Sequence, residues 1–114
     1  LELACTHAKA FGASIEVIAS LQGGSVTEAV EIQHAKEDLE YAEKFIQDQG
    51  ITAETHLFVR GLTPGEDIVT HAADMAADTI FIGVRRRSKV GKLLFGSNAQ
   101  YIIIKAPCPV MTVK

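Results

Sequence analysis

Apolar positions along the chain alternate between helical and extended spacing. Leu1, Ala4, Ala8 and Phe11 recur on one face of a helix from Leu1 to Phe11, with Gly12 where a C-cap belongs. Ile15 to Ile18 is a short β-rich run that suits a buried strand ending near Ser20. After the flexible Gln22-Gly23-Gly24-Ser25, the apolar positions Ile32, Ala35, Leu39, Ala42 and Ile46 form one stripe of a helix between Thr27 and Gln49. Gly50 ends it. Ala53, Thr55, Leu57 and Val59 alternate with Glu54, His56 and Arg60, which predicts a strand with one dry and one partly wet side near a sheet edge.

Thr63-Pro64-Gly65-Glu66 joins an N-cap, a proline at the first helical position and a glutamate three residues after the cap. It predicts a helix from Pro64 to about Ala76, buried through Ile68, Ala72 and Met75, with Glu66 and Asp67 as cap and dipole partners. Ile80-Phe81-Ile82 is a continuous apolar run of the kind found in central parallel strands. Ser97 with Gln100 reads as a second capping box, opening a helix to about Lys105 that Pro107 terminates, and Val110 to Val113 is the last strand. Strict alternation of helix and strand predicts one α/β domain over residues 1–114, with a mainly parallel sheet built from right-handed βαβ units. An opening helix in such a sheet needs a strand to cross over from, so a first strand and its loop are expected ahead of Leu1.

A chain of 114 residues, 47% hydrophobic and 22% charged, is the size of one core. Its apolar runs are short and broken by charges, and no secretory signal opens it, so a soluble, cytoplasmic protein without a membrane contact is expected. Cys5 and Cys108 lack metal or redox spacing and read as two buried thiols; His7, His34, His56 and His71 show no paired metal spacing. The net charge of −3 hides an asymmetry that matters more. Leu1 to Gly83 holds fourteen acids and four bases, whereas Val84 to Lys114 holds seven bases and no acid. Five of those bases, Arg85, Arg86, Arg87, Lys89 and Lys92, fall within eight residues. A concentrated positive loop points to an anion.

The loop lies between two features suited to phosphate. Gly83 ends a strand without a side chain to hold a ligand off the backbone, and Gly96-Ser97 opens a helix whose first N–H groups carry the positive end of its dipole. One helix terminus contributes about 0.3–1 kcal/mol toward a charge, while micromolar binding needs about 8 kcal/mol. A base and ribose pocket must supply the remainder.

This segment, and the chain as a whole, resembles the universal stress protein family. ATP-binding members carry glycine, two residues, glycine, nine residues, then glycine and serine or threonine, ahead of a short helix and an Ala-Pro-Cys-Pro-Val strand. Gly83, Gly96 and Ser97 occupy the first, third and fourth of those positions, Ala106-Pro107-Cys108-Pro109-Val110 reproduces the ending, and Arg86 replaces the second glycine. The resemblance implies a three-layer α/β/α, Rossmann-like fold of the adenine-nucleotide alpha-hydrolase type. It also implies ATP or a related adenine nucleotide as ligand of a stress-response regulatory module, with Mg²⁺ expected where ATP is turned over. By it, Ile82 and Gly83 line the adenosine end, Arg85 and Arg86 flank the phosphates, Gly96, Ser97 and Asn98 hold phosphate or ribose, and Ser20 touches the adenine. It further implies a homodimer through Val110 to Val113.

Other readings stay open. Arg86 either blocks the phosphates, leaving a homodimeric interaction protein that binds no nucleotide, or clasps them with its guanidinium. A slow ATPase is a third reading, for which no catalytic base can be named; Ser97 reads as a cap, with no base beside it. The basic run is also compatible with a solvated loop, and Gly91 with a simple turn. Nucleic acid is not expected as a partner, because aromatic residues do not interleave the basic ones and the rest of the chain is acidic.

Overall fold

A computed structural model describes residues 1–23, 29–83 and 96–113. They fall into two compact units, Leu1–Gly61 and Leu62–Lys114. The element order is helix, strand, helix, strand in each unit, as the periodicity predicts.

The first unit holds α1 (Glu2–Phe11), β1 (Ile15–Leu21), α2 (Ala29–Gln47) and β2 (Ala53–Val59). β1 and β2 are parallel, in register from Ile15 opposite Ala53 to Leu21 opposite Val59. Ser20 lies near the end of β1, opposite Phe58, as expected. Cys5, Ala8, Ile46 and Ile51 form the core, with Ile15, Val17, Ala53 and Phe45 packed against it. The odd-numbered side chains of both strands thus face the helices, and Thr55 adds a bond from its hydroxyl to Glu43 of α2 at 3.3 Å. The α2 stripe is as expected, with Leu39, Ala42 and Ile46 buried.

The α1 stripe differs from expectation. Cys5 and Ala8 are buried, but Phe11 is 74% exposed with its ring 4.7 Å from that of His7, and Leu1 is exposed too. The helix has turned toward its smaller residues. Gly12 caps it at φ 62°, the left-handed conformation that glycine adopts without steric cost, and its N–H returns to the Ala8 carbonyl.

The second unit holds α3 (Pro64–Asp74), β3 (Ile80–Gly83), α4 (Ser97–Lys105) and β4 (Val110–Val113). β3 and β4 are parallel, from Ile80 opposite Val110 to Gly83 opposite Val113. Ala72, Ile80 and Ile102 form its core, surrounded by Ile68, Val69, Ile82, Ala106, Cys108 and Val110. α3 ends earlier than its periodicity implies: Met75 is the C-cap and is exposed, and Ala76 takes a positive φ of 53°. Cys108 is only partly buried. No helix among the described residues is long and apolar enough to cross a membrane.

Candidate functional site

Two helix N-termini in the second unit differ in how their free N–H groups are met. α3 closes its own. The Thr63 hydroxyl accepts from the Glu66 N–H at 3.3 Å, the Glu66 carboxylate accepts from the Thr63 N–H at 3.0 Å, and Asp67 N–H bonds the Thr63 carbonyl at 3.0 Å. The remaining donor, Gly65 N–H, goes to Asn98 Oδ1 at 3.1 Å. Proline at the first position has no N–H to satisfy. Nothing is left at this end for an anion.

α4 is different. Its N-cap is Gly96, at φ −66° and ψ 167°, and no side chain caps the helix. The expected Ser97–Gln100 capping box is therefore corrected: a cap side chain must belong to the residue just outside the helix, and Ser97 is already its first helical residue. The Gln100 N–H instead bonds the Gly96 carbonyl at 3.0 Å. Gly96 makes no side-chain cap bond to the first-turn N–H groups of α4, which carry the positive end of the dipole.

The parallel pairing of β3 and β4 requires α4 to run back between them, so the carboxyl end of β3 and the start of α4 lie at the same end of this unit. Ile82 and Gly83 stand at the first, Gly96, Ser97 and Asn98 at the second. A Cβ on Gly83 or on Gly96 would meet no heavy atom within 4 Å among the described residues, and neither has a positive φ. Neither packing nor backbone conformation demands these glycines. Gly65 is the contrast, since a Cβ there would approach the Asn98 carbonyl and Tyr101 Cδ1 to 3.2 Å.

Arg85 and Arg86 lie outside the described residues, and Ser20 belongs to the first unit. Sequence spacing did not reveal two arrangements. Asp67, in the first turn of α3 as expected, is fully buried, and no buried side-chain nitrogen or oxygen among the described residues lacks a hydrogen-bond partner. In the first unit His56 Nε2 lies 2.7 Å from Glu16 Oε1, a contact made across forty residues by strand register.

The Cys108 thiol is pushed up in pKa, by burial first and by the negative charge of Asp78 second. It is not an activated nucleophile.

Comparison with known proteins gives a consistent result. A universal stress protein of Mycolicibacterium smegmatis is 39% identical over 72 residues, 63% of this chain and 55% of its own length. One from Thermus aquaticus is 37% identical over 83 residues, 69% of this chain and 60% of its own length. The chain thus spans between half and two thirds of these curated relatives. Among solved structures, a universal stress protein from Archaeoglobus fulgidus is 43% identical with TM-score 0.90, covering 98% of this chain and 84% of that one. The Archaeoglobus fulgidus universal stress protein in complex with dAMP is 38% identical with TM-score 0.83, covering 98% and 82%. The α/β fold with parallel strands is the fold of these structures. The model of the universal stress protein family matches residues 1–114, and the chain belongs to that family.

Proposed function

We propose that the protein is an adenine-nucleotide-binding regulatory module of the stress response, with ATP or a related nucleotide holding its phosphates at the start of α4. The observation that carries this reading is the contrast between α3, whose N-terminus is satisfied internally, and α4, whose N-terminus has glycine as its cap and no capping side chain. Among the described residues no heavy atom lies within 4 Å of a Cβ built on Gly83 or Gly96, which supports it, as does the dAMP complex of a relative. In this reading Ile82 and Gly83 line the adenosine end, Ser20 touches the adenine, and Arg85 and Arg86 flank the phosphates. The N–H groups of Ser97 and Asn98 and the Ser97 hydroxyl donate to phosphate or ribose oxygens.

Asn98 serves both elements. Its Oδ1 accepts from Gly65, which fixes the amide so that its Nδ2 donors remain for a ligand oxygen. Mg²⁺ would arrive with the phosphates. A homodimer through β4 is part of this reading: among the described residues β4 pairs only with β3, and Met111 is 42% exposed.

Thermal unfolding with and without MgATP tests the reading. Nucleotide at 100 times its dissociation constant adds about 2.7 kcal/mol. Absence of a shift at millimolar nucleotide favours the dimer that binds none, and Arg86→Gly then decides whether Arg86 is the cause. Restored binding identifies a block; where the wild type does bind nucleotide, weaker binding by Arg86→Gly identifies a clasp.

A further inference from the structure

Strand register in the first unit brings three ligand-type side chains together outside the proposed nucleotide site. Glu16 and Glu54 are register partners on adjacent parallel strands, and His56 follows Glu54 by two residues, so all three point from the same face of the β1–β2 pair. That face is opposite the one packed on α1 and α2. Two carboxylates placed side by side repel, which costs stability unless a positive charge sits between them. The shared point is His56 Nε2, 2.7 Å from Glu16 Oε1 and 3.9 Å from Glu54 Oε2. His56 is stacked on Phe58, with ring centroids 5.7 Å apart, and the Arg60 guanidinium covers Phe58 3.9 Å from its ring centre. The imidazole is thereby held in place along β2, with Nε2 turned toward the carboxylates.

We propose that Glu16, Glu54 and His56 form a binding site for a divalent transition-metal ion of the zinc class. Imidazole nitrogen and carboxylate oxygen bind such an ion at about 2.0–2.2 Å, which puts neighbouring donors of a tetrahedral site roughly 3.3–3.5 Å apart. The two measured separations fall on either side of that spacing. The nitrogen donor selects against Ca²⁺ and Mg²⁺, which take oxygen ligands. Three protein ligands leave a fourth position for water, so the ion is exchangeable rather than a permanent part of the fold. Glu16 is 19% exposed and Glu54 70%, which puts the site at a surface that ions can reach.

Calorimetric titration of the tag-free protein with ZnCl₂, in the presence of excess MgCl₂, tests the assignment. One ion per chain is expected. Glu54→Gln, a change at an exposed side chain that leaves the core untouched, weakens binding about tenfold, Glu16→Gln at least as much, and His56→Ala about a hundredfold. His34→Ala leaves it unchanged. A thermal shift with ZnCl₂ follows the same order across the variants. Lack of saturable Zn²⁺ binding by the wild type overturns the proposal and leaves an ion pair. So does binding that Glu54→Gln and His56→Ala weaken less than threefold.

Discussion

The backbone N–H of Gly65, second residue of α3, donates to Oδ1 of Asn98, second residue of α4, at 3.1 Å. One helix thus uses the first turn of the next as its cap. Asn98→Ala removes that acceptor from a buried backbone donor and is expected to lower unfolding free energy by about 1 kcal/mol. Asn98→Asp keeps the acceptor and is expected to keep stability, while its negative charge at the start of α4 weakens nucleotide binding. Urea unfolding and nucleotide titration on the same two variants separate the two roles.

The capping box at Thr63 is complete on both sides, with the Thr63 hydroxyl also donating to Glu66 at 2.9 Å. Thr63→Ala is predicted to cost about 1 kcal/mol and Thr63→Ser much less. Equal losses in urea unfolding would show that the methyl group rather than the hydroxyl matters.

Ala76 carries the one positive φ of a non-glycine residue among those described, 53° just past α3. The left-handed conformation costs an alanine about 1–2 kcal/mol, and glycine's extra freedom in the unfolded chain returns part of that. Ala76→Gly is therefore predicted to raise stability by about 0.5 kcal/mol, seen as a higher urea midpoint with unchanged slope. A lower midpoint would mean that the alanine methyl packs favourably enough to outweigh the strain.

Burial and the charge of Asp78 both disfavour the Cys108 thiolate, so its pKa moves up. Its alkylation by iodoacetamide at pH 8 is predicted to be slower than that of an unfolded peptide of the same sequence, with the rate rising at a higher pH. Asp78→Asn moves the profile down, though not back to the peptide value, because burial is the larger cause. A profile that coincides with the peptide's contradicts this.

The elements were legible because each rests on local signals: the 3–4 spacing of α2, the box at Thr63, Gly12 after α1 and the apolar run ending at Gly83. Their edges were less so. At α4, Ser97 and Gln100 match a box in sequence, yet Gly96 takes the cap position, since the pattern alone does not show which residue leaves the helix. At α3, a left-handed end normally carries glycine, so Ala76 gave no stop signal. On α1, small Cys5 and Ala8 are buried while large Phe11 stays outside, a choice made by the packing against Ile46 and Ile51 rather than by periodicity. The glycines and charges that mark the candidate phosphate site lie close together in sequence and could be read directly. Glu16 and His56 could not, because only the β1–β2 register joins them.

The central claim is that the open N-terminus of α4 takes nucleotide phosphate, and Gly96→Asp tests it most directly. Gly96 has the extended backbone of an N-cap and no described heavy atom within 4 Å of its Cβ position, so aspartate is expected to cap the first-turn N–H groups and leave stability equal or higher. The same carboxylate occupies the donors that a phosphate needs and repels it. Calorimetric titration with MgATP should give saturable binding by the wild type and at least tenfold weaker binding by Gly96→Asp at undiminished thermal stability. Equal affinity in the two proteins, or no binding by the wild type, would contradict the claim.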